Sequence, residues 1–149
     1  MDAAIIRSHI RSTIYKQTYK EETIMANRQI IAEKAPAAVG PYVHAVEAKG
    51  MLFCSGQLGL DPSTGELPDS IEEQTEQSLK NLGAVLKEAG YDYTDVVKTL
   101  IFLYDIDDFA TVNKIYSKYF DSAKPARSCV EVANIPKGAL VEIECIAVK

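Results

Sequence analysis

Histidine is nearly missing from this chain. Only His9 and His44 occur among 149 residues, and their spacing suits no shared metal ion. Histidine pairs for acid–base work and histidine-activated nucleophiles are therefore nearly excluded. Cysteine is sparse too. Cys54, Cys129 and Cys145 are odd in number and form no C-x-x-C pair. This argues against a disulfide framework or a zinc site and for a reducing compartment. No apolar run approaches the roughly 18 residues that a membrane-spanning helix needs. Basic charge is short: 16 Lys and Arg face 21 Asp and Glu, a net charge of −5. An acidic chain gains no general attraction to phosphate backbones, which speaks against nucleic acid as a partner. Internal repeats and low-complexity tracts are absent. Any catalysis is left to arginine, carboxylates, tyrosine, serine, cysteine and backbone groups.

What is present has the composition of an ordinary globular domain, with 47% hydrophobic and 25% charged residues. The length fits one domain with a real core. Residues 1–24 stand apart. They carry Arg7, Arg11, Lys16, Lys20 and several Ser and Thr, against the acids Asp2, Glu21 and Glu22. That composition fits either a weak organelle-targeting peptide or a plain extension ahead of a domain over 25–149 that starts near Met25.

From Arg28 onward the pattern predicts the order β-β-β-α-β-α-β-β. Strands are expected over 28–32, 43–48 and 51–55, with Lys49-Gly50 as a two-residue hairpin turn. A long loop follows over 56–68, with turn chemistry at Asp61-Pro62-Ser63-Thr64-Gly65. Ser70 and Glu73 form a capping-box pattern. Leu79, Leu82, Val85, Leu86 and Ala89 then mark the apolar face of a helix that Gly90 stops. Residues 95–104 read as a strand buried on both faces. Asp107 or Asp108 is placed to cap a second helix, with Phe109, Val112, Ile115, Tyr116, Tyr119 and Phe120 toward the core. Strands over 127–132 and 140–148 complete the chain. This is an α+β pattern, a mixed sheet with both helices on one face. The strands keep apolar residues on their other side as well, so the helix-free face is expected to be buried against further copies of the chain.

The chemistry concentrates on the last two strands. Arg127 heads a β-branched run and shares a strand face with Cys129 and Glu131. A cation there needs a partner. If the two strands are neighbours, Glu142 can be close to it. The pair is then either a salt bridge holding the sheet or an arginine fork for a ligand carboxylate, with Glu142 serving water or a proton. Cys129 is either a core thiol or a nucleophile without a histidine base. Ser55-Gly56-Gln57 reads as a strand end whose backbone N–H groups can cradle an anion, or as a plain turn. Tyr42 is a surface aromatic or a lid, and Asn113 lies on the second helix.

The stretches Ala35-Pro36-Ala37-Ala38-Val39-Gly40-Pro41-Tyr42, Ser55-Gly56-Gln57, Val97-Lys98-Thr99, Asp108-Phe109-Ala110-Thr111-Val112-Asn113, Pro125-Ala126-Arg127-Ser128-Cys129-Val130-Glu131-Val132 and Val141-Glu142-Ile143-Glu144 together resemble the RidA/YjgF family. The resemblance runs in order from about Met25 to Lys149. It implies a chorismate-mutase-like α+β fold, a homotrimer with pockets between subunits, and hydrolysis of 2-imino acids or their enamine tautomers, such as 2-aminoacrylate and 2-iminobutanoate, to 2-oxo acids and ammonia. Pyridoxal-phosphate-dependent serine/threonine dehydratases release such intermediates, and the family enzyme itself uses no metal or cofactor. By the same resemblance, Arg127 binds the substrate carboxylate, Glu142 positions the water, and the backbone of Cys129 contacts the ligand. Tyr42, Ser55, Gly56 and Asn113 line the pocket. Lys124 departs from an aromatic that many relatives carry before Pro-Ala-Arg. The expected location is the cytoplasm, or a mitochondrial-type organelle if residues 1–24 are a targeting peptide. The alternatives are the endoribonuclease or translation-inhibitor activity long attached to the family, and a non-catalytic trimer that binds small carboxylates.

Overall fold

A computed structural model describes residues 27–149. The proposed N-terminal extension, residues 1–24, lies outside the described residues. Six strands form one sheet: β1 (Arg28–Ile30), β2 (Ala45–Ala48), β3 (Met51–Leu58), β4 (Val96–Leu103), β5 (Ala126–Glu131) and β6 (Val141–Val148). Among the described residues the two α-helices are α1 (Ile71–Ala89) and α2 (Phe109–Phe120). The element order is the expected one. The sheet runs β1-β2-β3-β6-β4-β5, antiparallel throughout except for the parallel β4–β5 pair that α2 connects.

Local sequence accounts for most of this. Lys49 and Gly50 both have positive φ, 51° and 75°, and bring Ala48 opposite Met51 in a two-residue hairpin. The Ser70 Oγ accepts the Glu73 N–H and donates to the Glu73 carboxylate, so the second arm of the cap ends on the hydroxyl rather than on the backbone. Gly90 takes the left-handed conformation, φ 86°, and closes α1. The second helix begins differently from expectation. Asp108 occupies its N-cap position but makes no side-chain cap. Asp105 does the capping one turn earlier, accepting the Asp107 N–H at 2.9 Å in a short 3-10 turn.

Both helices lie on one face. Leu79, Leu82, Val85 and Leu86 of α1 are fully buried, as are Ile101 and Leu103 of β4 and Val141 and Ile143 of β6. Each such aliphatic side chain contributes about 1.5–3 kcal/mol relative to exposure. The strict alternation of β6, with Val141, Ile143, Cys145 and Ala147 buried, suits its place in the middle of the sheet.

The opposite face is partly apolar and uncovered. Phe53, Val97, Val130 and Val148 are each more than 40% exposed there, while Leu100, Phe102 and Ile146 are half-buried. Thus β4 is not buried on both faces within one chain. Its side toward α1 and α2 is dry, and its other side, carrying Lys98, Leu100 and Phe102, is open. Among the described residues no helix is long and apolar enough to cross a membrane.

Candidate active site

Arg127 and Cys129 pair in the parallel ladder with Thr99 and Ile101, both fully buried beneath the helices. The two residues therefore sit on the helix side of the sheet. The Arg127 guanidinium rests against α2. Its Nη1 donates to Asn113 Oδ1 at 2.8 Å, and its carbon lies 4.8 Å from the centre of the Tyr116 ring and 5.6 Å from that of Phe109. Positions 109, 113 and 116 share one face of a helix, so α2 presents two rings and one amide oxygen to a single cation. That arrangement fixes the guanidinium plane through one hydrogen bond and cation–π attraction. The guanidinium has five N–H donors, and the Asn113 bond uses one, which leaves a free edge matched to a carboxylate. Among the described residues no carboxylate comes within ion-pair distance of Arg127.

Glu142 is on the other face. It pairs with Leu58 of β3 and Phe102 of β4, while its neighbours Val141 and Ile143 point into the core. β5 and β6 do not pair, because β4 runs between them. With a rise of about 3.3 Å per residue and about 4.8 Å between strands, the α-carbons of Arg127 and Glu142 are about 14 Å apart. An intrachain Arg127–Glu142 salt bridge is therefore ruled out, and so is direct cooperation of the two within one chain.

Glu142 has its own local setting. The carboxylate lies over Gly56, and a Cβ at that position would overlap its Oε1. Gly56 is not at a strand end. Between the pairs Cys54–Cys145 and Gln57–Ile143, β3 carries Ser55 and Gly56 where β6 carries Glu144 alone, a bulge inside a continuous strand. From sequence alone a glycine there reads as the start of a loop. It serves instead to admit the Glu142 side chain. Partial burial pushes the Glu142 pKa above the ordinary glutamate range, and the neighbouring Glu144 charge pushes it further.

Tyr42 and Gly56 border a cavity of about 230 Å³ whose walls include Val39, Leu58 and Pro136. Tyr42 also meets Ser55 around a wider hollow on the side of β2 and β3. The Ser55 hydroxyl donates to the Val43 carbonyl at 2.7 Å, tying the strand to the segment that carries Tyr42. The seven expected residues thus fall into two groups. Arg127, Asn113 and Cys129 gather at the edge of β5 under α2. Tyr42, Ser55, Gly56 and Glu142 gather around the bulge of β3.

Cys129 is half-buried, and burial raises its thiol pKa despite the opposing pull of Arg127. A neutral thiol is a poor nucleophile. Lys124 is exposed at φ 45° in the turn between α2 and β5, where it directs the chain into Pro125. Two residues of this region were not singled out by sequence as site residues. Helical period places both Tyr116 and Phe109 toward the core. Tyr116 is indeed buried, but Phe109 is 40% exposed beside Arg127. Aromatics spaced to share a helix face with Asn113 were the available signal.

Residues 32–149 match the family model described as Endoribonuclease L-PSP. The chain belongs to this family, the RidA/YjgF proteins. Among its RidA relatives, "Reactive Intermediate Deaminase A, chloroplastic" of Arabidopsis thaliana is 48% identical over 145 residues, 97% of this chain and 78% of that protein. The Mus musculus protein named 2-iminobutanoate/2-iminopropanoate deaminase is 52% identical over 124 residues, 82% of this chain and 92% of its own. Among solved RidA-type structures, that of E. coli TdcF with bound serine superposes with a TM-score of 0.78 at 42% identity, covering 82% of this chain and 98% of the other.

One consequence concerns Gly56. Replacing it with Ala places a methyl group on the Glu142 carboxylate. The expected result is a fall in activity of about tenfold to a hundredfold with the secondary structure intact, checked by an imine-hydrolysis assay beside circular dichroism.

Proposed function

We propose that this chain hydrolyses 2-imino acids and their enamine tautomers to 2-oxo acids and ammonia, in pockets that form between copies of the chain. The observation that carries the reading is Arg127, a guanidinium fixed by Asn113 and two aromatic rings with a free edge for a carboxylate. The deaminase names of relatives near 50% identity support the same reaction. Serine bound to TdcF supplies a small amino acid, with its carboxylate, as a ligand of a related protein.

The chemistry follows from these groups. Arg127 holds the substrate carboxylate in two parallel hydrogen bonds and so fixes the position of C2. An enamine first takes a solvent proton at C3 to become the protonated imine. Water then adds to C2 while the C=N electron pair moves to nitrogen. Glu142, as carboxylate, accepts the proton that the water loses and returns it to nitrogen. The C2–N bond breaks, ammonia leaves with the electron pair of that bond, and the hydroxyl passes its proton to the Glu142 carboxylate, and from there to ammonia, as the C=O of the oxo acid forms. A protonated imine is already electrophilic, so positioning and one proton carrier suffice.

Arg127 and Glu142 lie on opposite faces of one sheet, so the site needs the Arg127 edge of one subunit against the Glu142 face of another. The uncovered apolar face with Phe53, Val97, Val130 and Val148 gives such packing an area to bury. A homotrimer, as the family resemblance implies, is the assembly we assign. The supply of substrate is assigned to pyridoxal-phosphate-dependent serine/threonine dehydratases. The basic, Ser/Thr-containing composition of residues 1–24, and an alignment to the chloroplastic relative that spans 145 residues, support an organelle address for that segment over a purely cytoplasmic location.

The test is a threonine dehydratase reaction with and without this protein. Faster release of ammonia and 2-oxobutanoate supports the proposal. Unchanged release overturns it, and RNA cleavage that copurifies with the protein and is lost on Arg127→Ala favours a ribonuclease instead.

A further inference from the structure

The ring of His44 sits at the end of the loop that joins β1 to β2. The side chain is 4% exposed, and both of its nitrogens are engaged. Nδ1 accepts the Ala32 N–H at 2.9 Å, and Nε2 donates to the Pro36 carbonyl at 2.8 Å. These partners sit at the start and middle of the loop. The ring thus closes the loop on itself. Its own backbone is also tied at both sides, since its N–H donates to the Ile30 carbonyl and its carbonyl accepts the Ser55 N–H. One residue therefore connects the loop, the strand edge and the Ser55-Gly56 bulge. The loop supplies Pro36, Val39 and Tyr42 to the wall of the cavity beside Gly56, and His44 borders the same cavity. Tyr42 in turn accepts the Val39 N–H through its hydroxyl at 3.3 Å, which makes the loop tip one unit.

We propose that His44 is a positioning residue for substrate binding: its two ring hydrogen bonds hold the Ala32–Tyr42 loop so that Val39 and Tyr42 wall the pocket over Gly56. The proposal rests on the deaminase reading for its substrate and on geometry alone for the latch. A buried ring with a donor on one side and an acceptor on the other is costly to truncate, because the Ala32 N–H and the Pro36 carbonyl both lose their partner. The His44 ring borders the cavity, but its hydrogen bonds among the described residues go to Ala32 and Pro36 and not to Arg127 or Glu142. Its loss should therefore weaken binding more than it slows the bound substrate.

The role makes a specific demand on replacements. A glutamine amide carries an acceptor and a donor at about the separation of the two ring nitrogens, so His44→Gln can keep both bonds. His44→Ala keeps neither. The experiment measures three things on the full chain: imine hydrolysis in the coupled dehydratase reaction, the Kd for 2-oxobutanoate by calorimetry, and hydrogen exchange at the Ala32 amide. For His44→Ala the expected results are a Kd raised about tenfold, a matching fall in activity, and a fast-exchanging Ala32 amide. For His44→Gln they are values within about threefold of wild type and a protected amide. Unchanged Kd in His44→Ala overturns the proposal. So does a Gln variant with a protected amide that binds as poorly as Ala. If His44→Ala does not fold, His44→Asn takes its place, with an acceptor for Ala32 and no donor reaching Pro36. Weak binding by that variant supports the latch, and wild-type binding overturns it. Should the wild-type protein not hydrolyse imines, the deaminase reading fails, while exchange at Ala32 and the Kd still decide the latch.

Discussion

Arg127→Ala is expected to lower the catalysed rate of imine hydrolysis by about a thousandfold, down to the uncatalysed background, without unfolding the protein. The size follows from what is lost. A charge-assisted hydrogen bond contributes about 1.5–3 kcal/mol, and a fork supplies two of them in one plane. Losing both amounts to about 3–6 kcal/mol, or about two to four orders of magnitude. Stability should barely change. Arg127 is only half-buried and its one hydrogen-bond partner among the described residues is the exposed Asn113, so its removal orphans no buried group. Arg127→Lys separates charge from shape. A lysine keeps the positive charge but cannot form the planar fork or stack equally on Tyr116 and Phe109. Its rate should fall between wild type and the alanine variant. The measurement is formation of 2-oxobutanoate in the dehydratase reaction, with the background subtracted and size-exclusion elution compared with wild type. Full activity in Arg127→Ala would show that another group anchors the carboxylate.

The sequence was most informative where a local rule acts alone. The apolar alternation of Val141 to Val148 identified β6 as a core strand, and Ser70, Gly90 and Lys49-Gly50 marked their cap and turn correctly. Alternation reports which residues share a face, but it says nothing about which strand lies next door. That is why β6 could be expected beside β5, when β4 in fact separates them. The same limit hid the most important feature of the site. Arg127 and Glu142 each head an alternating pattern, and only the placement of α2 and the core assigns them to opposite faces. Gly56 differs from its sequence pattern for another reason. Glycine followed by a Gly/Pro-rich stretch signals a loop, whereas here its missing side chain makes room for a carboxylate that is distant in sequence. Phe109 reads as a core residue because helical period cannot tell an edge that meets a guanidinium from one that meets aliphatic side chains. The chemistry-bearing residue types were legible. The way the fold divides them was not.

That division also sets the expectation for Glu142. Glu142→Gln keeps the shape over Gly56 but can neither accept a proton nor carry charge, and should lower the rate by about a hundredfold or more. The pH profile gives the sharper readout. The Glu142 pKa is raised, first by burial and then by Glu144, so its carboxyl stays protonated to a higher pH than an ordinary glutamate. A base is active when deprotonated. Activity relative to uncatalysed hydrolysis should therefore climb with pH through a midpoint above the usual glutamate value. Glu144→Gln removes the like charge and should move that limb to lower pH, and Glu142→Gln should abolish it. Stability should run the other way. A carboxyl whose pKa is higher folded than unfolded contributes stability at low pH that is lost as pH rises through the folded value. Glu142→Gln should then be as stable as wild type or more so near neutrality, read as an unchanged or raised Tm. Finally, the two inactive variants can be mixed. If each site takes Arg127 from one subunit and Glu142 from another, subunit exchange between Arg127→Ala and Glu142→Gln proteins rebuilds an intact pair at about a quarter of the sites. A site contained in one chain regains nothing. Recovered activity on mixing would thus establish the shared pocket, and its absence after verified exchange would refute it.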